Sequence, residues 1–153
     1  RAGYRVKLLG RALRLEDGRQ VAYVAPHLVP ADCPIAPVDD VFNAIMIRGN
    51  AVGDVMFYGR GAGDLPTASA VMGDVMDAVQ HRAKRRELGW SESAELADFA
   101  GLSMKWYLRG DFPAPEGSTE LSGGAVIAGP MTAAQAEALA EKLGAAALLP
   151  VFE

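Results

Sequence analysis

Cysteine is almost missing from this chain: Cys33 stands alone among 153 residues. A lone cysteine excludes an internal disulfide and fits a reducing compartment, so cytoplasmic residence is expected. Its neighbours Asp32 and Pro34 offer no base to draw off the thiol proton, and it reads as inert. Histidine is scarce too, with only His27 and His81. No set of histidine, cysteine and acidic residues has metal-ligand spacing, so no transition-metal site is expected. No apolar run approaches the ~18 residues that a spanning helix needs, and no signal-peptide pattern is visible. Neither a membrane nor, at a formal net charge of −4, a nucleic acid is expected as partner.

What the chain has in quantity is apolar side chain, 50% of its residues, enough at this length for a real core. It starts at Arg1 rather than methionine, as a fragment or processed product would. Tyr4, Val6 and Leu8 alternate, and the apolar register then shifts near Gly10 to Leu13 and Leu15. This predicts a strand with a bulge. Glu16-Asp17-Gly18 signals a hairpin turn, and Gln20 to Ala25 is the returning strand. Four prolines from Pro26 to Pro37 predict an irregular loop. Val41 to Ile47 and Asp54 to Tyr58 make a second hairpin about Gly49-Asn50.

A helix begins near Asp64, whose carboxylate suits a cap, with Pro66 in the first turn where no donor is needed. Leu65, Ser69, Met72, Met76 and Val79 share one face at helical spacing, the methionines as core filler. The basic run Arg82 to Arg86 falls where the macrodipole favours cations. Residues 89–103 read as a linker with a short helical piece around Glu92 to Phe99. Beyond it, Lys105 to Arg109, Ala125 to Ala128 and Ala145 to Phe152 are strands. Phe112 to Gly124 is turn-rich, and Thr132 caps a helix running to Leu143 and closed by Gly144. The predicted class is α+β: two β-hairpins forming a largely antiparallel sheet packed by a helix, followed by a small βαβ unit.

The most informative stretch joins the second hairpin to its helix: Met56-Phe57-Tyr58-Gly59-Arg60-Gly61-Ala62-Gly63-Asp64. Glycine allows close backbone approach and unusual dihedrals. A glycine turn that ends at a helix N-terminus presents free N–H groups and a positive dipole end, which suits an anionic cofactor. It is not a Rossmann fingerprint, because the third glycine would fall at Asp64 and no second strand follows. A tight turn without a ligand has the same spacing.

The run GRGAGDLPTASAV, Gly59 to Val71, resembles homoserine dehydrogenase. Its companions in order are Gly3-Tyr4-Arg5-Val6-Lys7-Leu8-Leu9, Asp17-Gly18, Pro26 to Pro30 and Val41-Phe42-Asn43-Ala44, and the resemblance covers Gly3 to Val79. It implies an NAD(P)-dependent oxidoreductase, a homodimer that reduces aspartate semialdehyde to homoserine in threonine, methionine and isoleucine biosynthesis. It also implies that 1–88 is the C-terminal portion of the catalytic and dimerisation domain. Because Met104 to Arg109 resembles the opening strand of an ACT module while one helix follows where two would, 104–153 is expected to be a degenerate ACT-like regulatory or packing module. In the family the nucleotide fingerprint and catalytic lysine lie upstream of Arg1, so no catalytic residue is expected in this chain, which alone would be inactive. Gly63 matches a position that touches the NADP or NAD cofactor, with Gly61 and Ala62 as neighbours. A detached dimerisation or regulatory module without activity remains the alternative.

The other conspicuous residues have plain readings. His27 has no motif partner and is expected to be a hydrogen-bonded structural histidine, and His81 to face solvent. Asp39-Asp40 reads as a turn or cap rather than an acid–base pair. Trp90, Trp106 and Tyr107 are expected to anchor packing.

Overall fold

The computed structural model describes residues 3–82, 89–90 and 93–153. In chain order its strands and helices are β1 (Tyr4–Arg14), β2 (Gln20–Pro30), β3 (Phe42–Gly49), β4 (Gly53–Arg60), α1 (Asp64–Gln80), β5 (Ser103–Arg109), β6 (Thr119–Leu121), β7 (Ala125–Thr132), α2 (Ala133–Leu143) and β8 (Ala147–Pro150). The class is α+β, built of small antiparallel sheets. One compact unit comprises Arg1–Ala36 with Ser93–Glu153, the other Pro37–Glu92.

In the first unit β1 and β2 pair without interruption from Tyr4↔Pro30 to Arg14↔Gln20. The expected bulge is absent. Leu9 is buried while Val6 and Leu8 are exposed. The shift in apolar pattern therefore comes from a strand with apolar residues on both faces, not from an inserted residue. β2 also continues through Pro26 to Pro30, where a loop was expected. Its free edge explains this. Gln20 N–H donates to Glu95 O and Gln20 O accepts from Ala97 N, while Leu28 O accepts from Phe152 N. The even-numbered residues of β2 thus turn their backbone groups away from β1. Pro26 and Pro30 belong to that set, so their missing N–H removes nothing from the β1 ladder.

The same edge straightens the segment expected to be a helical linker. Residues 93–98 run extended, with a parallel bridge Gln20↔Leu96. Helix is confined to one 3₁₀ turn, Phe99–Gly101, where the Asp98 carboxylate accepts from Ala100 N at 2.9 Å. Ser91 and Glu92 lie outside the described residues.

The second half of this unit is a four-stranded sheet in the order β6-β7-β5-β8. β7 and β8 both run antiparallel to β5 and flank it, so β7, α2 and β8 form a βαβ unit split by β5. β6 lies within the stretch expected to be turn-rich. Met104, Trp106 and Leu108 on one face of β5 pack with Val126, Ala128 and, from α2, Ala133 and Ala136. On the opposite face Ile127 packs with Val151 and with Leu28 of β2. The sheet is therefore the middle layer between α2 and the first hairpin. Trp106 is an anchor, its indole N–H donating to Met131 O at 2.9 Å. The helix is bounded as expected: Thr132 and Gln135 make a reciprocal capping box, and Gly144 closes it at φ 65°.

The second unit holds β3–β4 and α1. The pair runs from Phe42↔Arg60 to Gly49↔Gly53 and is a two-stranded sheet of its own, not shared with β1–β2. α1 starts at Asp64, but Asp64 does not cap it: the capping residue is Gly63, and no side chain bonds there. The face expected to be core is open, since no residue of α1 is buried and Leu65, Met72, Met76 and Val79 are all exposed. Among the described residues of this unit nothing forms a layer over it. Trp90, expected to be a packing anchor, is 86% exposed. Residues 83–86 of the basic run lie outside the described residues.

Candidate functional site

The glycine loop is held at its start by Val41, the residue before β3. Val41 O accepts from Gly61 N at 3.1 Å and from Ala62 N at 3.4 Å. Beneath it, the rings of Phe42 and Tyr58 stack with centroids 4.9 Å apart and planes 10° apart, and the Arg60 guanidinium lies 5.4 Å from the Phe42 ring centre. These contacts brace the strand ends from which the loop departs.

Three glycines at alternate positions have three different standings. A Cβ on Gly59 would meet nothing within 4 Å, so no steric demand keeps it small. A Cβ on Gly61 would collide with the side-chain amide of Asn43. Gly63 sits at φ 114° and ψ 155°, a region open in practice only to glycine. Sequence reasoning placed Gly61, Ala62 and Gly63 together, and the structure has them contiguous in this loop. Asn43 was noted only as a companion residue. The signal that marks it is its register opposite Gly59.

At the helix start Thr67 grips Gly63 twice: its Oγ1 donates to Gly63 O at 2.8 Å and its N–H to the same oxygen at 3.1 Å. The N–H groups of Asp64 and Leu65 precede the first intrahelical bond, and Pro66 has none to offer. The loop therefore presents a surface poor in side chains that ends at two backbone donors. Asp64 contributes a carboxylate in the same turn, which offsets part of the positive dipole end.

None of the acid–base candidates of the sequence belongs to the loop itself. His27, in the other unit, is fully buried. Its Nδ1 bonds Ala25 O at 2.8 Å and its Nε2 meets Tyr23 Oη at 3.2 Å, as expected for a structural histidine. Burial pushes its pKa below the usual value, and the Arg11 charge adds to this against the opposing bond to Ala25. Asp40 occupies a turn at φ 60°. Cys33 packs, partly buried, against Leu9, Val29 and Ala36. Among the described residues no group of histidine, cysteine and acidic side chains could hold a metal ion, and no helix is long and apolar enough to cross a membrane.

The family profile for homoserine dehydrogenase matches residues 1–76, which take in both hairpins, the glycine loop and most of α1. The chain belongs to the homoserine dehydrogenase family. It is 50% identical over 78 residues to the homoserine dehydrogenase of Pseudomonas aeruginosa, covering 51% of this chain and 18% of that protein. With that of Corynebacterium glutamicum it shares 40% over 114 residues, 70% of this chain and 26% of the other. Among solved structures, a homoserine dehydrogenase from Thiobacillus denitrificans matches 99% of this chain at a TM-score of 0.74 and 25% identity, over 43% of its own length. The Staphylococcus aureus homoserine dehydrogenase matches at a TM-score of 0.64 and 26% identity, over 42% of its length. The chain thus spans less than half the length of these relatives.

Proposed function

We propose that this chain is the C-terminal part of an NAD(P)-dependent homoserine dehydrogenase that reduces aspartate semialdehyde to homoserine in the cytoplasm, in the biosynthesis of threonine, methionine and isoleucine. The observation that carries this reading is Gly63: a residue at φ 114°, fixed by Thr67 at an uncapped helix start, within the segment that matches the family. The bound nicotinamide would supply or receive the hydride. The backbone of Gly61, Ala62 and Gly63, with only the Ala62 methyl projecting from it, would form a wall against which a flat ring can lie closely. The free N–H groups of Asp64 and Leu65 would orient an acceptor there, and Thr67 would keep the loop from relaxing. No catalytic residue is assigned to this chain. The proton on the alcohol oxygen would be handled by the family's lysine upstream.

The β3–β4 hairpin supports the need for more protein. Ile45, Ile47 and Phe57 are exposed on one face and Met56 and Tyr58 on the other, and α1 buries nothing. Apolar surface on both sides of a hairpin is a surface to be covered, by the rest of the polypeptide and by a second copy in a homodimer. The sheet at 104–153 would serve as the degenerate ACT-like module, joined through 89–103 to the 1–88 portion.

The test is NADPH oxidation with aspartate semialdehyde, by the complete polypeptide and by this chain alone. Turnover is expected only in the former, with a raised cofactor KM in Gly63→Val. An unchanged cofactor KM in a folded Gly63→Val enzyme counts against the assignment. A thermal shift of this chain with threonine or methionine, without turnover by the complete polypeptide, would favour the detached module instead.

A further inference from the structure

We infer that Asn43 is a ligand-binding residue of the dehydrogenase site, its carboxamide N–H donating to a carbonyl or carboxylate oxygen on the cofactor or the substrate. The inference rests on reading the glycine loop as the cofactor wall, and it adds a side chain to a site otherwise made of backbone.

Four observations converge on this residue. Its amide fills the space over Gly61, where any Cβ would strike it, so the glycine at 61 and the asparagine at 43 are a matched pair. Directly across the ladder stands Gly59, which has no side chain to cover the amide. Asn43 is exposed, and among the described residues no hydrogen bond reaches its carboxamide. Finally, the next residues on its face are Ile45 and its partner Phe57, 66% and 61% exposed. A group with two donors and one acceptor therefore sits at the rim of an apolar face, beside the loop, on an exposed residue whose Nδ2 is the atom nearest to Gly61. Once that face is covered and water is displaced, an amide left unpaired is destabilising. A bound ligand's oxygen is the partner that the position offers.

The deciding variant is Asn43→Asp in the complete enzyme. It keeps the shape over Gly61 but replaces the donors with a charged acceptor. Because the new charge can itself repel an anionic ligand, the readout is taken together with Asn43→Ala, in which a role limited to packing leaves both KM values unchanged. A role in binding raises one of them by about tenfold or more with a smaller change in kcat. A raised cofactor KM assigns the bond to the nicotinamide cofactor, and a raised aspartate semialdehyde KM to the substrate. Unchanged values in a variant with wild-type thermal midpoint overturn the inference. If Asn43→Asp does not fold, Asn43→Ala is read in the same way. A wild-type enzyme without dehydrogenase turnover would instead overturn the site assignment, and the role of Asn43 with it.

Discussion

Tyr23 Oη lies 3.2 Å from Nε2 of His27, four residues further along the same face of β2. The direction of this bond is determined. Ala25 O can only accept, so Nδ1 carries the proton and Nε2 is left to accept from Tyr23. Tyr23 in turn accepts from Arg11 Nη1 at 3.3 Å. Protonating Nε2 would set two donors and the Arg11 charge against one another in a buried place. Burial lowers the folded-state pKa of His27 below 6.5. Between that value and 6.5 the unfolded chain binds more protons, so stability is fully present above 6.5 and falls as the pH drops below it. The thermal midpoint is expected to fall between about pH 7.5 and 5.5, and less steeply in His27→Gln. Parallel curves for the two proteins would contradict this.

Leu108 is fully buried between β7 and α2. Leu108→Ala should cost about 2–5 kcal/mol, through lost transfer energy and the cavity left behind. Ile45→Ala, at a position 66% exposed, should change the stability of this chain by no more than about 0.5 kcal/mol. Urea denaturation of both variants measures the contrast.

Thr132 accepts from Gln135 N at 3.3 Å while Gln135 Oε1 accepts from Thr132 N at 2.9 Å. Thr132→Ala should cost about 1 kcal/mol. Because the two bonds are reciprocal, the Thr132→Ala, Gln135→Ala double variant should lose less than the sum of the single changes.

The glycines predict a graded series in the complete enzyme. Gly59→Ala should leave cofactor KM near wild type, because the added methyl meets nothing. Gly63→Ala must adopt φ 114° or move the loop, a strain of about 1–3 kcal/mol, and should raise cofactor KM. Steady-state kinetics on the pair decides whether the loop works through its backbone conformation.

Elements set by local chemistry were legible from sequence. The Asp17-Gly18 turn, the start of α1 and both boundaries of α2 depend on residues adjacent in the chain. Elements set by a distant neighbour were not. Pro26 and Pro30 argue for a loop until the free edge of β2 is seen, and residues 93–98 look helical until Gln20 supplies their backbone partners. The site was legible as glycines but not as the fit of Gly61 against Asn43, because strand register is invisible in composition. The open face of α1 could not be anticipated either. Helical periodicity says that a face is apolar, not what lies against it.

The split of the first unit between its two ends has a consequence for synthesis. Leu28 bonds Phe152 and bridges to Val151, so the first hairpin leaves the ribosome well before the strand that covers it has been made. With everything from Pro37 to Glu92 emerging in between, the hairpin must wait, its apolar faces open to water or to a chaperone. A chain halted just before Val151 would then lack the residues that bond and bridge to Leu28.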